Sequence, residues 1–140
     1  MLTLKKLVRS YTNMVDDSIR VMQRLKAISR ARGIGTPGKS VCRASQRKTW
    51  LSKLELRGAR TRAAALYEQL DLLTKQRPAA KAAMIAEARR HHGWKILRSI
   101  PFIGPVRAAV ILNCGHAVSV SNQAAILAVR GPGGGHAIDG

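Results

Sequence analysis

From Leu4 the apolar positions alternate by four and three, so that Leu4, Val8, Tyr11, Val15, Ser18, Met22 and Leu25 form one seam, with Leu7, Met14, Ile19 and Ile28 beside it. This spacing keeps one stripe on one side of an α-helix and predicts a long amphipathic helix from Leu4 to about Arg32. Gly33-Ile34-Gly35-Thr36-Pro37-Gly38 follows, where flexible backbone and a proline predict a stop and a reversal of the chain. A shorter amphipathic stretch, with Trp50, Leu51 and Leu54 as its apolar side, is expected from about Ser45 to Arg57, with Gly58 as its break. Between Ala59 and Arg90 good helix formers dominate, Leu66, Leu70 and Leu73 recur at heptad spacing, and Met84, Ile85 and Ala88 continue the apolar side. A second long helix is predicted there, kinked or restarted at Pro78. Neither helix can bury its stripe alone, so the expected packing is an antiparallel helical hairpin or coiled coil, or a dimer through the same seam. Such stripes describe a core and imply no cofactor.

The pattern changes after Trp94. Lys95-Ile96-Leu97-Arg98-Ser99 predicts a short helix ended by Ile100-Pro101, and Gly104 is expected to supply the permissive backbone of a tight turn. Pro105 suits the first turn of a new helix, where a missing amide costs nothing, and small Ala108 and Ala109 let that helix lie close to the first. The free amides at its start, aided by the macrodipole, can receive a phosphate. Candidate DNA-backbone contacts are therefore the charges of Lys95, Arg98 and Arg107 and the turn residues Ile103, Gly104, Pro105 and Val106. Leu97 to Leu112 resembles the helix-hairpin-helix motif, whose turn carries two glycines around an apolar residue; Phe102 stands where the first is expected. A purely structural αα-turn is the alternative reading of the same residues.

Charge narrows the partner. The chain of 140 residues carries 25 Lys and Arg against 7 Asp and Glu, a formal net charge of +18 spread along its length. Scattered cations of this kind neutralise phosphates, so nucleic acid is expected ahead of membrane, with a solvated cationic surface as the bland alternative. No apolar run approaches a bilayer span, and the start leads into a helix pattern with no signal peptide, so a cytoplasmic location is expected. Cys42 and Cys114 lie far apart and form no metal-ligand spacing; free thiols are expected.

Leu7-Val8-Arg9-Ser10-Tyr11-Thr12-Asn13, Arg30-Ala31-Arg32-Gly33-Ile34, Thr36-Pro37-Gly38, Ala79-Ala80-Lys81-Ala82 and Ser99-Ile100-Pro101-Phe102-Ile103-Gly104-Pro105-Val106-Arg107 together resemble the middle of the IS-one-ten-type insertion-sequence transposases. The resemblance runs from about Lys5 to Leu112 and is most specific in the last block. It implies a RuvC-like domain with four metal-binding acids, then a coiled-coil insertion, then a transposase domain that opens with this hairpin and holds a nucleophilic serine. It also implies Mg2+ for the intact family, recombination of DNA, and guidance by an element-encoded RNA.

By that resemblance the metal-binding acids lie before this chain and the serine motif after it. Asp16 and Asp17, adjacent on a helix, point to different sides and read as solvated residues, and Ser119 and Ser121 lack matching neighbours. His91 and His92 are expected to face solvent. The first 115 residues hold 24 basic and 6 acidic side chains, whereas the last 25 hold only Arg130 and Asp139. A frameshift near Cys114 to His116 accounts for that change: with codons chosen from the allowed sets, His116 to Ala137 read one base later spell the basic, aromatic stretch and Ala-Gly-Leu that the family continues with. A natural flexible tail is the alternative, with Gly131 to Gly135 lacking the ending of a phosphate loop and Cys114 and His116 lacking a second ligand pair.

The sequence thus predicts a mostly α chain: a helical hairpin or coiled coil over 1–90, a helix-hairpin-helix over 91–115, and a disordered or irregular tail over 116–140. The expected role is DNA binding within a transposase, with no cofactor held by this segment and no strand cleavage by the segment alone. DNA, a guide RNA, and a second copy or an intact transposase docked through the seam are the expected partners, and no membrane. The rival expectation is a small basic nucleic-acid-binding or transposase-pairing module without catalysis.

Overall fold

The computed structural model describes residues 2–115, and the expectations placed on 116–140, Ser119, Ser121 and His116 among them, lie outside these. The described residues are mostly α, and they contain no strand. Helix α1 covers Leu2–Arg30, α2 the short Arg47–Ser52, α3 Arg57–Arg89 and α4 Trp94–Ser99. A further helix, α5, occupies 105–115. The chain forms two compact units, one of residues 9–84 and one in which 2–8 join 85–115.

In the unit of 9–84, α1 and α3 form the antiparallel hairpin. Its core contains Val21 and Leu25 from α1 and Ala63, Leu66, Tyr67 and Leu70 from α3. Register runs antiparallel: Arg77 lies over the Tyr11 ring, Val21 shares a groove with Gln69 and Leu73, and Ile28 shares one with Ala59 and Arg62. The buried line on α1 departs from the predicted seam. Val21 is buried and Met22 only half-buried, in keeping with the drift of a 3.6-residue helical turn away from a strict heptad. Ser18 remains on the buried face, and its hydroxyl is satisfied by the Met14 carbonyl at 2.8 Å.

The end of α1 follows the prediction. Gly33 adopts φ 70°, Gly33 N–H donates to the Arg30 carbonyl at 2.9 Å, and Ile34 N–H reaches back to the Ser29 carbonyl at 3.1 Å. This pair of bonds around a left-handed glycine is the Schellman motif, and it satisfies carbonyls that a helix end would otherwise leave unpaired.

Two 3-10 turns, Ser40–Cys42 and Ala44–Gln46, and α2 then cover one end of the hairpin with Val41, Trp50 and Leu54. The helix predicted from Ser45 to Arg57 is shorter. Both Nε and Nη2 of Arg60 donate to the Leu54 carbonyl, at 3.2 and 2.8 Å, which draws the backbone out of the helix after Ser52. Gly58 does not break the chain as expected: it sits in the first turn of α3, where amides have no ladder partner to lose. Helix α3 also runs through Pro78, which is exposed together with Thr74, so water can donate to the Thr74 carbonyl the hydrogen bond that proline cannot give.

A polar clasp closes this end. The Tyr67 hydroxyl, in a side chain 2% exposed, donates to the Val41 carbonyl at 2.6 Å. Arg47 lies 4.6 Å from the centre of the Tyr67 ring and gives two 2.7 Å hydrogen bonds to the Asp71 carboxylate. Those bonds hold the Asp71 carboxyl below its ordinary range and raise the Arg47 guanidinium, while burial pushes the Tyr67 phenol up. Cys42, a free thiol beside this end, is likewise raised by burial.

In the other unit the buried apolar side chains are Leu4, Val8, Ala88, Ala108, Ala109 and Leu112. His91 does not face solvent as expected. It is half-buried, its Nδ1 accepts the Gly93 N–H at 3.1 Å, and its ring stacks on His92 at 4.4 Å.

Candidate nucleic-acid interface

Residues 94–115 fold back on themselves as a helix-hairpin-helix. Helix α4 ends because Ile100 leaves helical geometry, at φ −78° and ψ 127°, as the residue before a proline tends to do. Ile103 N–H then donates to the Ile100 carbonyl at 3.4 Å, closing a turn in which Pro101 is second and Phe102 third. A positive φ third is the requirement of a type II turn, in which proline is common in the second place and glycine is favoured in the third. Phe102 adopts φ 66° and is the only residue other than glycine with positive φ among the described residues. The turn therefore keeps the glycine conformation at a position that holds phenylalanine.

This corrects the role expected of Gly104. It is not left-handed, and a Cβ built on it would meet nothing within 4 Å. The unusual dihedral falls two residues earlier because it belongs to the third place of the turn. Gly104 instead opens α5: Ala108 N–H donates to its carbonyl at 3.0 Å, and the helix begins at residue 105. Pro105 has no amide to leave unpaired, while the Val106 and Arg107 amides precede the first ladder bond and point out of the helix start.

Packing sets the hairpin's two arms. Ala108 and Ala109 are both 0% exposed, and a Cβ on Gly93 would lie 3.1 Å from Leu112 Cδ2, so α5 approaches the start of α4 closely. Ile103, Gly104, Pro105 and Val106 are half-buried, whereas Lys95, Arg98 and Arg107 are exposed. Arg98 is not free to act as charge alone. Its Nη1 donates to the Ile103 carbonyl at 2.6 Å, tying the end of α4 to the far side of the turn. Neither that tie nor the exposed place of Phe102 was read from the sequence. Pro101 in the second place of a four-residue turn was the available signal, since proline there fits a type I or a type II turn, and the second of these takes a positive φ next.

The electrostatics of the segment are one-sided. From 88 to 115 the chain has Arg89, Arg90, Lys95, Arg98 and Arg107 and no Asp or Glu. Among the described residues three ion pairs are formed, Asp17 with Arg20, Asp71 with Arg47 and Glu87 with Arg90. With 24 basic side chains up to residue 115, most of the positive charge stays uncompensated. Asp16 and Asp17 are exposed, and no group of three or more His, Cys, Asp or Glu among the described residues converges to hold a metal ion. No helix among the described residues is long and apolar enough to cross a membrane. No protein-family model, curated protein or solved structure matches the chain.

Proposed function

We propose that this chain is a nucleic-acid-binding segment of an IS-one-ten-type insertion-sequence transposase, gripping the DNA backbone through its helix-hairpin-helix and cutting no strand by itself. The observation that carries the reading is the φ of 66° at Phe102. A turn that takes the glycine conformation at the place where the motif is expected to carry its first glycine supports that reading. The Val106 and Arg107 amides then face outward at the start of α5, with Lys95 and Arg107 exposed nearby in sequence and in no ion pair among the described residues. Contacts of this kind go to phosphate and position the protein without reading bases.

The test is the salt dependence of binding by the full chain to a labelled DNA duplex, followed by fluorescence anisotropy between about 50 and 200 mM salt. Affinity should fall linearly on logarithmic axes. Replacing Lys95 and Arg107 together by glutamine should reduce the slope by about two. Absence of binding at the lowest salt, or an unchanged slope in the double variant, refutes the proposal. A parallel titration with structured RNA separates DNA from guide RNA as the ligand.

A further inference from the structure

We infer that Phe102 is a rigid stacking wedge for an unpaired nucleobase, an inference that rests on the nucleic-acid reading above. Phe102 is 95% exposed, whereas Tyr11, Trp50 and Tyr67 are 8%, 7% and 2% exposed. Its position is unfavourable twice over. An almost fully hydrated phenyl ring gains nothing from the hydrophobic effect, and its backbone occupies a region that bulky L-residues avoid. No contact within the described chain offsets either cost, and strained residues of this kind cluster at ligand sites.

The backbone that carries the ring is restrained. Pro101 and Pro105 restrict the backbone on both sides, and the 2.6 Å hydrogen bond from Arg98 to the Ile103 carbonyl closes the turn behind it. A flat apolar face presented on a stiff turn fits a partner with a flat face of its own. The charge decides which. Lys95, Arg98 and Arg107 surround Phe102 in the sequence of the hairpin with no carboxylate from 88 to 115, which favours phosphate-bearing ligands over an apolar or basic protein surface. Nucleobases stack on aromatic side chains in this way, with cations taking the backbone. Inside a continuous duplex both faces of a base are already covered. The ring therefore discriminates in favour of a base that has lost a neighbour, at a bulge, a junction or a single-stranded step.

The experiment compares the full chain on two duplexes of equal length, one continuous and one carrying a single bulged 2-aminopurine. The wild-type chain should bind the bulged duplex roughly tenfold more tightly and quench its fluorescence by stacking. Phe102→Gly fits the turn's conformation, so it should keep both binding to the continuous duplex and the salt slope while losing the preference. Phe102→Trp should retain the preference, since a larger ring stacks at least as well. Thermal melting of each variant checks that the fold persists. A preference that survives in Phe102→Gly, or equal wild-type affinity for the two duplexes, overturns the wedge while leaving the backbone grip standing. Failure to bind either duplex at low salt overturns both.

Discussion

Replacing Phe102 by glycine should stabilise the protein, although it deletes the chain's single phenylalanine. Three terms decide the sign. The first is burial: at 95% exposure the ring has almost no transfer free energy to lose. The second is backbone strain at φ 66°, which costs a residue with a β-carbon about 1–2 kcal/mol and costs glycine nothing. The third opposes the change, because glycine's unfolded state is freer by about 0.5–1 kcal/mol. Strain relief exceeds the entropy term, and the net gain is about 0.5–1 kcal/mol, or roughly 2–5 °C in melting temperature if the chain unfolds as one unit. Because two compact units are present, amide hydrogen exchange gives the sharper assay. Protection should rise at the Ile103 amide, bonded to the Ile100 carbonyl, and at the Ala108 amide, bonded to the Gly104 carbonyl. Phe102→Ala supplies the control, since it removes the ring but keeps the β-carbon and hence the strain. If Phe102→Gly leaves stability unchanged or lowers it, or if alanine gives the same gain as glycine, the assignment of strain to this residue is wrong.

Two further outcomes test the clasp at the other unit. Tyr67→Phe keeps the packing but removes the donor to the buried Val41 carbonyl, and urea unfolding should show a loss of about 1–2 kcal/mol; an unchanged midpoint would mean that the carbonyl finds another donor. Asp71 titrates below its ordinary value because Arg47 bonds its charged form, so its contribution to stability is complete above the unfolded carboxylate range and is lost as pH falls through the lower folded value. Below about pH 4 the wild-type chain should therefore lose stability more steeply than Asp71→Asn, and parallel curves for the two would rule out this linkage.

The amino-acid pattern determined the elements whose causes are local. Four-three spacing from Leu4 and the glycine at 33 were enough to place α1 and its end, since helix periodicity and a left-handed C-cap need only near neighbours. Ile100-Pro101 and Pro105 likewise marked the hairpin's turn. What spacing could not decide is where distant groups meet. Burial of Val21 in preference to Met22 depends on which side of α1 meets α3, and the early end of α2 goes with a carbonyl taken by Arg60 from the next helix. Arg47, Tyr67 and Asp71 come together only once residues 20 or more apart are packed. The candidate site divides in the same way. Its residues were legible as a basic hairpin with a glycine replaced, because the motif is contiguous in the chain. That the replaced position carries the positive φ, that its ring stands in solvent, and that Arg98 ties the turn shut were decided in three dimensions, because a proline in the second place leaves both turn types open and only the folded backbone selects between them.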